Sequence, residues 1–140
     1  MLKGSFTEPL GSGAFPPVSV EDVGEAAAEI LLNPERHHNK AYEFTGPEDL
    51  TGDQKAAELS KALGRQVKYI PATKEDALKS FREIYPEHQA IGVLQLFEMC
   101  ESGKVRVTSA FKDITGKRGT TVQERFSQLK QTGALDSTPA

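Results

Sequence analysis

Tryptophan is missing from this chain, and cysteine occurs once, at Cys100. A lone cysteine excludes an internal disulfide framework, and a reducing, cytoplasmic compartment is the natural default. No apolar run approaches the roughly 20 residues that span a bilayer. The start, Met-Leu-Lys-Gly-Ser-Phe-Thr-Glu, has no apolar leader core, so no membrane partner is expected. A dominant charge is lacking too. Lys and Arg total 17 against 20 Asp and Glu, spread along the length for a net −3. Without a basic stripe, nucleic acid is not an expected partner. Glycine and proline sit at joints, and there is no low-complexity tract or internal repeat.

Several kinds of chemistry are absent as well. No G-x-G-x-x-G turn occurs. Gly11-Ser-Gly13 has neither a strand before it nor a helix after it, and Gly46 and Gly52 lack the spacing and the Lys-Ser/Thr ending of a phosphate loop. No nucleophile elbow or supported Cys–His pair is found. His37 and His38 are adjacent, but no Cys or third His lies at ligand spacing, so a solvated loop is expected and not a metal site. His88 beside Glu87 reads as a solvated polar position.

What is present is an alternation with a boundary signal at nearly every joint. Phe15 to Val18 is a short strand candidate, limited by Pro16 and Pro17. Ser19 opens a helix to Leu32, with Asp22 as an acidic partner in the cap, and Asp22 is read as a helix-start acid before a site carboxylate. Val20, Val23, Ala27, Ile30 and Leu31 fall on one face of it. Tyr42-Glu-Phe-Thr alternates like a half-buried strand. Thr51 with Gln54 caps a second helix, which buries Ala56, Leu59, Ala62 and Leu63 and ends at a left-handed Gly64. Val67 to Ile70 is a third strand. Further helices follow from Thr73, from Glu87 to Glu101, and from Thr121. The Glu87–Glu101 helix is apolar on more than one side, so it is read as core before a pocket wall or dimer face. The class is therefore α/β, with three short strands and about five helices. Residues 1–133 form one domain and 134–140 a tail.

Pro17-Val-Ser-Val-Glu-Asp-Val-Gly-Glu-Ala-Ala, the later Leu-Leu-Asn-Pro, and Ala41-Tyr-Glu-Phe-Thr-Gly-Pro resemble the NmrA-like branch of the atypical short-chain dehydrogenase/reductases. The helix Thr51–Leu63 and Gly64-Arg-Gln-Val-Lys-Tyr continue the likeness in family order. It covers roughly Gly4 to Gly116. The resemblance implies the C-terminal, substrate-side portion of a Rossmann-like NAD(P)-dependent oxidoreductase, with the dinucleotide-binding half outside these residues. Short-chain reductases more broadly use a Tyr with a Lys four residues later. Here Tyr42, Tyr69 and Tyr85 are followed at that spacing by Gly46, Thr73 and Gln89. No catalytic, cofactor-binding or metal residue is therefore assigned.

By the same analogy Phe15 and Phe97 face a substrate. The resemblance further implies that NAD(P) belongs to a complete family member and is not bound by this chain alone. The expected partner is a missing N-terminal half, or a second copy through self-association. An alternative of a different class is a non-catalytic, NmrA-like regulatory or protein-binding module.

Overall fold

The computed structural model describes residues 4–135. In order, the elements are β1 (Ser5–Glu8), β2 (Ala14–Phe15), α1 (Val20–Leu32), α2 (Pro34–His37), β3 (Leu50–Thr51), α3 (Gly52–Leu63), β4 (Lys68–Pro71), α4 (Lys74–Ile84), α5 (Glu87–Glu101), α6 (Ala110–Thr115) and α7 (Val122–Gln131). The α/β class holds. Among the described residues the strands form two separate pairs. β1 runs parallel to β4, with Ser5 opposite Lys68 and Glu8 opposite Pro71. β2 is antiparallel to β3, with Phe15 opposite Leu50.

Helix α3 forms where its ends specify it. The Thr51 hydroxyl accepts from the Gln54 amide at 3.3 Å, and the Gln54 side chain accepts from the Thr51 amide at 2.9 Å. Gly64 closes the helix with φ 68°, a left-handed conformation that side chains with a Cβ rarely take. α3 packs on α7 and β4. Leu50, Leu59, Val67 and Val122 make the main core there, with Phe6, Leu63 and Phe126 packed around them. A second, smaller cluster joins Ala26, Phe111 and Ile114 to Ile30, Tyr42 and Phe44.

Sequence expectations need correction at several points, beginning with the strands, of which the described residues hold four where three were expected. The segment before Phe15, where the sequence offers no strand signal, contains β1; residues 1–3 lie outside the described ones. Phe6 is its one large apolar side chain, so the strand shows no periodicity, and its partner β4 is about 60 residues away in sequence. Tyr42 to Thr45 forms no strand. Side-chain hydroxyls hold it: Thr45 Oγ1 accepts from the Thr108 amide at 2.8 Å, and the Thr108 hydroxyl donates to the Glu43 carbonyl at 2.6 Å. Two short helices, α2 and α6, add to the five expected. A further correction concerns α1, which buries Asp22 and Ala26. Val20 is 81% exposed and Leu31 79%. Most of the tail expected over 134–140 lies outside the described residues.

The N-terminus of α1 is also tied down differently. The Ser19 hydroxyl accepts from the Glu21 amide at 3.2 Å and donates to the Glu21 carboxylate at 2.7 Å. Asp22 takes no part in that cap. It is 6% exposed and accepts from the Thr120 amide at 2.6 Å and the Thr120 hydroxyl at 2.7 Å. The acid therefore pins α1 to the segment leading into α7, a structural role beyond that of a helix-start charge.

Candidate functional site

The two aromatic residues assigned to a substrate face come together. Phe15, on β2, and Phe97, on α5, meet edge to face with ring centroids 6.1 Å apart. Phe97 in turn stacks on Phe81 of α4, centroids 6.1 Å apart and planes within 14°. All three rings are half-buried. The Gly11–Gly13 turn brings β2 onto the C-terminal end of α5. A Cβ on Gly13 would strike the Glu101 backbone, and Gly11, at φ 55°, faces the Glu101 side chain. Strand β1 does precede Gly11 and Gly13, contrary to the sequence expectation, but β2 and not a helix follows, and these glycines serve close packing.

Under Phe15 lies a residue that the sequence reading missed. Lys55 of α3 places its ammonium 4.0 Å from the centroid of the Phe15 ring and 5.5 Å from that of Phe6. It forms an ion pair with Glu8 at the end of β1, and its side chain is 9% exposed. Burial pushes its pKa down, while the hydrogen bond and the charge of Glu8 push it back up. Cation–π contact and a carboxylate partner are what allow a charge to sit in such a place. Its position four residues before Leu59, on the same stripe, was the available signal.

Other candidates resolve into structure. The Tyr69 hydroxyl donates to the Glu8 carbonyl at 3.1 Å, and burial pushes its pKa up. Cys100 is buried, and its thiol pKa is raised first by burial, which makes it a poor nucleophile at neutral pH. His37 is not in a solvated loop. It ends α2, half-buried, with Nδ1 2.7 Å from the Tyr42 hydroxyl. His38 is exposed. Among the described residues no group of three His, Cys, Asp or Glu side chains is placed to hold a metal ion, and no helix is long and apolar enough to cross a membrane.

Residues 4–129 match the model of the NmrA-like family. The chain belongs to the NmrA-like family. It is 33% identical over 124 residues to an NAD(P)H azoreductase of Xenophilus azovorans, covering 87% of this chain and 43% of that protein. An agroclavine dehydrogenase of Claviceps fusiformis is 30% identical over 107 residues, 75% of this chain and 37% of its own length. Among solved structures, an NADPH-dependent quinone oxidoreductase of Escherichia coli complexed with NADPH superimposes with a TM-score of 0.75 at 26% identity, covering 91% of this chain and 45% of that one. The chain therefore spans about two fifths of the length of the curated relatives it matches.

The described residues do not fit a dinucleotide pyrophosphate. Such a group is held by backbone N–H groups at a helix start behind a glycine turn. Helices α1, α3, α4, α5 and α7 all carry an acid in the first turn: Glu21 and Asp22, Asp53, Glu75 and Asp76, Glu87, and Glu124. Asp22, Asp53, Glu75 and Asp76 would repel an anion, while Glu21, Glu87 and Glu124 are paired with Arg125, Arg82 and Arg118.

Proposed function

We propose that this chain is the substrate-side part of an NAD(P)H-dependent reductase and that Phe15 and Phe97 form part of the wall that receives the substrate. The edge-to-face meeting of these rings, extended by Phe81, carries the reading. A flat aromatic or quinonoid acceptor suits such a wall, because offset and edge contacts are the favoured geometries between rings. The names of the relatives, an azoreductase and a quinone oxidoreductase, point the same way. The chain's own part is to bind and orient the acceptor and to exclude water from it. Hydride chemistry would be supplied by a nicotinamide held in a dinucleotide-binding half, which we propose packs on the bare apolar face of α1.

A chimera tests this reading. The dinucleotide-binding half of the Xenophilus azovorans azoreductase, fused ahead of this chain, should oxidise NADPH only when a quinone or an azo dye is added. Phe15→Ala and Phe97→Ala should each raise KM about tenfold, the equivalent of a lost contact of roughly 1.4 kcal/mol. A chimera that folds and binds NADPH yet reduces no acceptor would overturn the proposal and favour a non-catalytic binding module.

A further inference from the structure

A half-enclosed cavity of about 310 Å³ lies between β1, α3 and α7, walled by Phe6, Leu59, Val122 and Phe126, with Lys55 and Glu8 among its lining. This size is at the small end of ordinary ligand sites, which run from about 300 to 1,000 Å³. Neither Phe15 nor Phe97 lines it, so it is a separate space from the substrate wall proposed above, although Lys55 touches both the cavity and the Phe15 ring. The walls are apolar apart from Ser5 and one largely buried ion pair, the arrangement typical of small-molecule sites, where a few polar groups fix orientation.

We propose that this cavity binds a small neutral aromatic alcohol, its rings between Phe6, Leu59, Val122 and Phe126 and its hydroxyl on the Lys55–Glu8 pair. The charge balance selects the class. Lys55 and Glu8 already neutralise each other in a largely buried place. An added carboxylate would leave a net negative charge there and an added ammonium a net positive one, each penalised by desolvation. A single hydroxyl answers both partners, accepting from the ammonium and donating to the carboxylate. The lowered pKa of Lys55, caused first by burial, is consistent with poor access of water to this end of the cavity.

The test uses 2-naphthol with two charged analogues of the same ring system, 2-naphthoate and 2-naphthylmethylammonium. The chain has no tryptophan, so naphthyl fluorescence is read against a low background. Saturable binding of 2-naphthol is expected, with both charged analogues weaker by at least about tenfold. Leu63 also lines the cavity, and Leu63→Phe, which adds bulk there, should abolish binding while leaving the circular dichroism unchanged. Glu8→Gln leaves Lys55 uncompensated and should reverse the order in favour of 2-naphthoate. If Glu8→Gln does not fold, Leu63→Phe and the analogue series still decide. Equal affinity for all three probes, absence of saturable 2-naphthol binding, or binding unaffected by Leu63→Phe would overturn the proposal.

Discussion

Helices α1 and α3 begin alike and end up in different situations. Each follows a capping hydroxyl, Ser19 or Thr51, and each has apolar residues at helical spacing. α3 buries its stripe of Ala56, Leu59 and Ala62, because α7 and β4 lie against it. α1 turns Asp22 toward Thr120 and Ala26 toward α6, and leaves Val20 and Leu31 in solvent. A cap is a local contract between neighbouring residues, so it locates a helix start whatever surrounds the helix. Which face is covered depends on the partner, and for α1 the described residues supply only part of one.

The comparison breaks most sharply at Leu59. Leu59→Ala should cost about 2–4 kcal/mol, since it opens a gap in the main core. The readout is the shift in a urea unfolding midpoint. A cost below about 1 kcal/mol would mean that α3 is no better anchored than α1.

Asp22 comes next. Asp22→Ala should cost about 1–3 kcal/mol, because it strands the Thr120 amide and hydroxyl in a buried place. Asn, which retains an acceptor, should recover part of that loss. If Ala and Asn behave alike in urea titrations, the buried contacts to Thr120 do not hold α1 in place.

Much of α3 and little of the pairing around it could be read in the residues. Thr51, Gln54 and Gly64 lie within one helix and its cap, so their chemistry is visible in a window of about a dozen residues. The β1–β4 pair joins segments far apart in sequence, and Ser5-Phe-Thr-Glu offers only Phe6 as an apolar signal. Tyr42 to Thr45 showed the alternation of a strand, yet Thr108 hydroxyl and amide groups replaced a ladder. The site was partly legible. Family resemblance pointed to Phe15 and Phe97, while Lys55 was passed over because a lysine on a helix normally counts as solvent-facing. Its neighbours Phe6, Glu8 and Phe15, brought in by β1 and β2, explain its burial.

The α7 cap gives a smaller, pH-dependent effect. The Arg118 guanidinium, with the Thr121 amide and hydroxyl, lowers the Glu124 carboxyl from the usual 4.5 to about 2. A carboxyl depressed in the folded state stabilises above its unfolded pKa and loses that contribution as pH falls through the folded value. The side chain is exposed, so solvent screening reduces the effect to below about 1 kcal/mol. Glu124→Gln should therefore be mildly destabilising at pH 7, and the difference from wild type should shrink between about pH 4.5 and pH 2. A difference that is constant across that range in urea titrations would show that the cap, and not the charge, carries it.

The smallest effect on stability falls on the bare face of α1, where it is paired with a change in association. Val20→Ser with Leu31→Ser removes apolar surface already in water, so stability should move by less than about 0.5 kcal/mol. The same helix also exposes Leu32 and Val23, and contiguous apolar surface of this kind favours a partner. In the isolated chain, two copies are expected to share it. Sedimentation across a dilution series should show wild-type chain shifting toward a dimer with rising concentration, and the double variant remaining at 15.3 kDa. Binding of a hydrophobic dye should fall in parallel. Wild-type chain that stays monomeric at every concentration and binds no dye would mean that α1 needs no cover, and the contrast with α3 would then be one of composition alone.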